Sequence, residues 1–192
     1  MNTIYDCVLS FQALLNKEYH FVVGRKMTKI SFDICFDKAD CYHLMGLQHL
    51  KDIDGLKGKR QKVFDKIMDR KIQQEKIEQS HFYPEIAERI HFLPMLETLL
   101  DSNDTIFKYH KKFNKFSKIE AEILLCNKMF DQELYLFLDQ RQDGKYFCRS
   151  FFLRRGLDYT KNQPRYTLLY KEKRYLEADK IDILYDKLTP KS

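Results

Sequence analysis

Residues 134–152 read LYLFLDQRQDGKYFCRSFF, and no other stretch of this chain indicates paired strands so clearly. Residues 134–138 are apolar at every position, which is typical of a strand that is covered on both faces. Residues 141–144 then supply the Asp-Gly pair of a tight hairpin turn, and aromatic residues resume soon after it. The stretch therefore predicts two antiparallel strands, the first of them central in its sheet.

The rest of the C-terminal half continues this pattern, because apolar residues recur there with a period of two. We predict strands at residues 105–109, 117–126, 133–139, 145–152 and 165–173, and one more in the tail at 181–185. Since the connections are short, these strands are expected to pair as an antiparallel meander.

The N-terminal half is mainly helical in pattern. A capping box at Thr3 precedes an apolar stripe and predicts a helix over residues 3–17. A hairpin is predicted next, with strands at residues 18–23 and 28–36. A second helix is predicted to begin at Asp37, and two or three short helices are predicted within residues 59–102. The expected fold class is α+β, with N-terminal helices and a hairpin followed by an antiparallel sheet, in a single domain over residues 1–192.

Cysteine usage and hydropathy indicate the compartment. The five cysteines are odd in number and widely scattered, and they lack the spacing of a metal site. The longest apolar runs are far too short to cross a bilayer. We therefore expect reduced cysteines, no membrane partner and a cytoplasmic location.

The distribution of charge indicates an anionic partner. The net charge is +6, and cations gather in three stretches, at residues 57–71, 108–118 and 154–174. Such stretches attract phosphate backbones, because binding releases counterions. The alternative is an ordinary lysine-rich surface in contact with water.

Arg149 raises a question, because it stands among aromatic residues in a predicted strand. Strict alternation would put Phe147, Arg149 and Phe151 on one face. An unpaired buried cation is prohibitively costly, so the guanidinium must reach water, pair with an acid or hold an anionic ligand. Either a structural ion pair or a phosphate contact satisfies this requirement.

His43 opens the stretch HLMGLQHL at residues 43–50. On a continuous helix it lies near the centre of the stripe that Leu44, Leu47 and Leu50 form, and so points inward. The ring is either a packed core residue or a catalytic group. Gly46 is costly inside a helix, which suggests that another backbone or a ligand approaches it closely.

The stretch YTKNQPRYT at residues 159–167 offers hydroxyl groups, amides and two cations between two predicted strands. It suits either a loop over a phosphodiester or an ordinary polar turn. Phosphate-binding glycine loops, zinc-protease motifs and nucleophile elbows are not found in the sequence. We accordingly expect no metal and no cofactor.

Four stretches together resemble a known family. HLMGLQHLKDI at 43–53, residues 80–125, LYLFLDQRQDGKYFCRSFF and DYTKNQPRYTLLYKEK are similar to the phage barnase, EndoU, colicin and RelE-like nucleases (PBECR), in particular their fourth subgroup. The resemblance covers residues 18–174, with the helix at 3–17 and the tail at 175–192 as extensions. It implies a curved antiparallel sheet whose concave face binds RNA.

The resemblance also implies an activity, metal-independent RNA cleavage by attack of the 2′-hydroxyl, in a nuclease-like toxin of phage or mobile-element origin. It suggests His43 as base or acid and Arg149 with Lys108 as a phosphate clamp. We predict catalytic roles for His43, Arg149, Ser150 and Thr160, and nucleic-acid contacts for Lys108, Lys118, Tyr159, Lys161, Arg165 and Thr167. The expected partners are RNA or DNA and an immunity or host protein. The alternative is a non-catalytic module that binds nucleic acid or a host protein through the same surface.

Overall fold

The computed structural model describes residues 2–102, 105–129 and 132–190. The chain divides into two compact units. The helical unit comprises Met1–Leu15 and Asp37–Glu97, and the sheet unit comprises Asn16–Phe36 and Thr98–Ser192. Each unit is therefore built from two separate segments of the chain.

The helical unit consists of short helices joined by tight turns. The helices are α1 Ile4–Gln12, α2 Lys38–Leu44, α3 Arg60–Met68, α4 Gln74–Glu78 and α5 Ala87–Phe92, and α6 Leu96–Ser102 follows them. The predicted capping box is confirmed, since the Thr3 hydroxyl accepts from the Asp6 N–H at 3.2 Å and the Asp6 carboxylate accepts from the Thr3 N–H at 2.7 Å. Asp37 caps α2 as predicted, because its carboxylate accepts a hydrogen bond from the Ala39 N–H.

The segment after α2 is not the continuous helix that the sequence pattern assumed. The helix ends at Leu44, Gly46 has a φ of 80° and a 3-10 turn follows. A Cβ atom at Gly46 would lie 2.8 Å from Cγ2 of Ile86. The close approach predicted at Gly46 is thus made by a side chain. The geometric basis for an inward-pointing His43 is lost, and this residue is half-buried.

Replacing Gly46 by alanine is expected to lower the free energy of unfolding by about 2 kcal/mol, because the left-handed conformation and the contact with Ile86 both oppose a Cβ atom. Chemical denaturation followed by circular dichroism measures this loss. Gly55→Ala is the matched control, since its Cβ would meet only the end of the flexible Lys76 side chain, with Nζ at 3.5 Å. Equal stability of the two variants would contradict the expectation.

The sheet unit is built from eight described strands. They are β1 Lys17–Arg25, β2 Thr28–Cys35, β3 Thr105–Lys108, β4 Ile123–Met129, β5 Gln132–Gln140, β6 Tyr146–Leu153, β7 Arg165–Tyr175 and β8 Lys180–Asp186. Their order is β1-β2-β6-β5-β4-β3-β7-β8, and β1 also pairs with β7. The two predicted hairpins and the predicted strand in the tail are confirmed, and β5 is central, between β4 and β6.

The predicted α+β class with a curved open sheet is wrong, because the chain is mostly sheet with few short helices and seven of its strands close into a barrel. Closure depends on β1, one edge of which pairs with β2 while the other pairs with β7, starting with Lys17 opposite Tyr175. On the far side of the hairpin, Ile34 of β2 pairs in parallel with Tyr146 of β6. The N-terminal hairpin is thus part of the sheet, and β8 extends it along β7.

Apolar side chains dominate the interior of the sheet unit, and a buried lysine lies among them. Lys171 is 1% exposed, and its ammonium group donates to the carbonyl oxygens of Leu100 and Asp101, each at 2.8 Å. Lys173 forms an ion pair with the Asp101 carboxylate at 2.8 Å. Lys171 and Lys173, which the sequence analysis counted in a basic stretch on the surface, are therefore buried and form contacts within the sheet unit.

The described parts of the chain also bear on the compartment prediction. Within residues 2–102, 105–129 and 132–190, no helix combines the length and the apolar character that a membrane span requires. Among the described residues the cysteines form no disulfide bond, and Cys7, Cys41 and Cys148 are buried.

Candidate nucleic-acid interface

Arg149 occupies a β-bulge. Phe137 of β5 pairs with Ser150 of β6, and the next residue, Leu138, pairs with Cys148, so Arg149 is the extra residue between them. The bulge interrupts the alternation, and the predicted shared face of Phe147, Arg149 and Phe151 is wrong. The Arg149 side chain is 48% exposed and lies 3.9 Å from the Asp139 carboxylate. A guanidinium is tolerated in this aromatic strand because the bulge directs it to water.

An aromatic cluster covers the outer face of β3 to β6. Its buried members are Tyr109, Leu124, Tyr135 and Phe137. Tyr159 packs against it, with ring centroids 5.3 Å from Phe137 and 5.5 Å from Tyr135. Tyr159, a predicted nucleic-acid contact, therefore anchors the segment after β6 to the barrel.

Two of the predicted basic stretches meet beside this cluster. The His110 N–H donates to the side-chain oxygen of Gln163 at 2.8 Å, and the Gln163 amide donates to the His110 carbonyl at 3.1 Å. The Lys108 N–H donates to the Pro164 carbonyl at 2.9 Å, and the Asn114 amide donates to the carbonyl oxygen of Tyr159 at 3.3 Å. Residues 108–114 and 159–164 thus form one surface, which we call the basic interface.

His110 lies among cations on this surface. Burial lowers the pKa of its ring, and the charges of Lys108, Lys112 and Arg25 lower it further. Exposed cations near these segments are Arg25, Lys108, Lys112, Lys118, Lys161 and Arg165. Exposed cations in and near two joined segments suit a polyanion.

Several other cations of the basic stretch at 154–174 have partners within the protein. Arg154 forms ion pairs with Glu133 and Asp158, in addition to the internal contacts of Lys171 and Lys173. Thr160, predicted as catalytic, donates its hydroxyl to Asp158 at 2.6 Å and so lowers the pKa of that carboxyl. The hydrogen bond stabilises the turn that carries Tyr159.

The predicted site residues fall into both units. His43 lies in the helical unit, where its ring stands edge-on to Tyr42 at 5.8 Å. The other nine lie in the sheet unit, with Ser150 opposite Phe137 and Thr167 opposite Gly24. Across the described ranges, no three His, Cys, Asp or Glu side chains form a group that could hold a metal ion.

The sequence analysis missed His110, Arg25 and Gln163. His110 lies inside the basic stretch at residues 108–118, KYHKKFNKFSK, and that position was its available signal. Gln163 lies inside the stretch YTKNQPRYT, whose amides were noted, but its hydrogen bonds to His110 could not be seen in the sequence. Arg25 carried no local signal.

Fold and surface together define a basic barrel protein suited to binding a polyanion. The model of the phage-Barnase-EndoU-ColicinE5/D-RelE like nuclease 4 family, PBECR4, matches residues 3–188, and the chain therefore belongs to this family. The match includes the first helix and the eighth strand, which the sequence analysis treated as extensions. No curated protein and no solved structure was found to match the chain.

Proposed function

We propose that this protein is a metal-independent endoribonuclease that binds RNA through the basic interface. The observation that carries the proposal is the junction of residues 108–114 with 159–164, which joins segments that carry the exposed cations Lys108, Lys112 and Lys161. Membership of a nuclease-like family supports the same conclusion. A surface of this kind neutralises phosphates without reading sequence.

The proposed reaction needs no water and no cofactor. A base takes the proton of the 2′-hydroxyl, the 2′-oxygen attacks phosphorus, and an acid protonates the leaving 5′-oxygen. The products are a 2′,3′-cyclic phosphate and a free 5′-hydroxyl. Lys108, Lys161 and Arg165 are proposed to hold phosphates. The catalytic roles of His43, Arg149, Ser150 and Thr160 stay predictions, and the hydroxyl of Thr160 already donates to Asp158.

Neutralising Lys108, Lys161 and Arg165 together, each by glutamine, is expected to weaken RNA binding and to flatten its salt dependence. For a single strand, loss of three phosphate contacts makes the plot of log affinity against log salt concentration less steep by about two units of slope. Fluorescence anisotropy with a labelled single-stranded RNA, at several salt concentrations, measures both quantities.

A variant of the helical unit provides the charge-matched control. Lys62→Gln, Lys66→Gln and Lys71→Gln remove the same charge from exposed positions of another basic stretch. If this variant loses as much affinity and slope as the first, the interface is wrongly located. A wild-type affinity that does not change with salt would exclude phosphate binding and favour a protein partner.

Cleavage itself is tested in EDTA. Wild-type protein is expected to cut single-stranded RNA into fragments with 2′,3′-cyclic phosphate ends, and to leave a strand with 2′-deoxy sugars intact, because that strand lacks the attacking oxygen. RNA that is bound but not cut would favour the non-catalytic alternative.

A further inference from the structure

A second cluster of ionisable side chains lies on the outer face of β1, β2 and β7. Strand register creates it, because His20 is opposite Asp33 on one side and Glu172 on the other, while Glu18 is opposite Arg174. Residues directly opposite one another across paired strands are close enough to interact. The cluster comprises Glu18, His20, Asp33, Lys145, Tyr170, Glu172 and Arg174.

His20 is held by a carboxylate. Its Nδ1 atom lies 2.7 Å from Oδ1 of Asp33, and the ring stands edge-on to Tyr170 with centroids 6.4 Å apart. A carboxylate only accepts hydrogen bonds, so the Nδ1 atom of His20 carries the proton and donates it to Asp33 in the hydrogen bond. The Nε2 atom is then the one that can exchange a proton with a ligand. The side chain is 21% exposed, which permits this access.

Glu172 is held as a carboxylate. Burial by itself would raise its pKa, but hydrogen bonds from the Tyr170 hydroxyl and from Arg174 outweigh burial and lower it. The same contact raises the pKa of Tyr170 to about 12, so this hydroxyl stays a donor. Glu172 is therefore ionised at neutral pH and fixed in orientation.

Arg174 connects the acidic members. Its Nη1 atom lies 3.1 Å from Glu18 and 3.5 Å from Asp33, and its Nε atom donates to Glu172. Lys145 contacts Glu18 at 2.6 Å. A guanidinium has five N–H donors, so these three contacts leave donors for a phosphate.

We propose that this cluster is the acid–base centre of the nuclease, an inference that rests on the proposed function. Glu172 takes the proton of the 2′-hydroxyl, the 2′-oxygen forms a bond to phosphorus, and the bond from phosphorus to the 5′-oxygen breaks. Protonated His20 gives its Nε2 proton to that oxygen, while Asp33 positions the ring. Arg174 stabilises the charge that develops on the phosphoryl oxygens.

The sheet connects this centre to the basic interface. His20 and Arg25 lie on the same strand, about 17 Å apart along β1 at the usual rise per residue. Lys29 lies opposite Gly24 and shares the outer face with Asp33, because residues of one parity face the same side of a strand. Arg25 has the opposite parity on β1 and faces the other side, so Lys29 is a cation on the face of His20 near the hairpin turn, from which RNA can approach His20.

His20→Gln and Glu172→Gln are each expected to lower the single-turnover rate constant for RNA cleavage in EDTA by at least about 100-fold. RNA affinity is expected to change little, because the basic interface is intact. His91→Gln and Glu177→Gln, at exposed positions, are the matched controls and are expected to retain the wild-type rate.

The pH profile separates proton transfer from a structural role. Wild-type cleavage is expected to fall at low pH, because Glu172 gains a proton there and can no longer act as the base. The groups that face His20 are Asp33 on β2, Tyr170, Glu172 and Arg174 on β7, and Glu18 on its own strand. Residual cleavage by Glu172→Gln should lose this acid limb, whereas cleavage by His20→Gln should be slower and should keep it.

The outcomes distinguish the two proposals. If wild-type protein leaves RNA intact, the proposed function is wrong and this inference is wrong with it. If wild-type protein cleaves RNA and both variants cleave at the wild-type rate, only this inference is wrong. Should His20→Gln fail to fold in a thermal melt, Asp33→Asn takes its place. It preserves the size of the side chain and is expected to slow cleavage, because it weakens the contact that positions the His20 ring. Cleavage at the wild-type rate would overturn the inference.

Discussion

Lys171→Ala is expected to lower the free energy of unfolding by about 3 kcal/mol. The ammonium group is buried and donates to the carbonyl oxygens of Leu100 and Asp101, at the C-terminal end of α6. A cation at this end of a helix is favourable, and removing it leaves two carbonyl groups without the hydrogen bonds of Lys171. The Phe21 ring, 5.6 Å from the nitrogen, also loses a cation contact.

Urea denaturation followed by tyrosine fluorescence measures this loss. Lys171→Met retains an apolar stem of similar length and is expected to recover about 1 kcal/mol of it. Lys180→Ala is the surface control, because this exposed lysine lies 3.2 Å from Asp182, and such pairs contribute less than about 1 kcal/mol. A loss at Lys171 no larger than at Lys180 would show that the buried contacts do not stabilise the barrel.

Phe137→Ala is expected to cost about 3–5 kcal/mol, the largest loss that we expect in the sheet unit. The ring is fully buried and lies 5.0 Å from Tyr109, 5.3 Å from Tyr159 and 5.6 Å from Phe152, measured between centroids. Its removal leaves a cavity between the barrel and the segment that carries Tyr159. The variant is therefore expected to weaken the anchoring of the basic interface as well as to destabilise the fold.

Phe116→Ala provides the matched control, because this phenylalanine is 97% exposed and its removal is expected to change stability by less than about 0.5 kcal/mol. Thermal melts of the two variants give the stability difference, and limited proteolysis near residues 154–164 reports on the anchoring. Similar melting temperatures for both variants would contradict the packing described for Phe137.

Local patterns in the sequence predicted much of the secondary structure. The turn at residues 141–144 forms the hairpin between β5 and β6, and Asp37 caps α2, because turns and caps depend on neighbouring residues. Strand β4 begins at Ile123, later than predicted. The six residues before it are outside the strand, where the Ile119 N–H donates to the Ser117 hydroxyl.

Closure of the barrel could not be predicted in this way. It depends on pairing between β1 and β7, which lie at opposite ends of the chain, and alternation within each strand does not reveal its partners. The bulge at Arg149 is equally hidden, since both strands look regular in sequence. Because of the inserted residue, the alternation of side chains between the two faces of β6 is out of step before and after Arg149.

The candidate site was predictable only in part. The basic stretches at 108–118 and 154–174 are visible in composition, whereas their junction depends on the two hydrogen bonds between His110 and Gln163. Composition also overstated the surface charge, because Lys171 is buried. The ion-pair cluster around His20 had no local motif, since register across three strands creates it.

The two-sided pairing of β1 has a consequence for synthesis of the protein. The hairpin of β1 and β2 leaves the ribosome early, while β7, which pairs with its outer edge, is among the last strands to be made. Until then that edge exposes unpaired backbone groups, which are a template for association with other chains. Contacts between such distant segments also form slowly. Chaperone dependence and aggregation of nascent chains are therefore expected to end only when β7 has left the ribosome and can pair with β1.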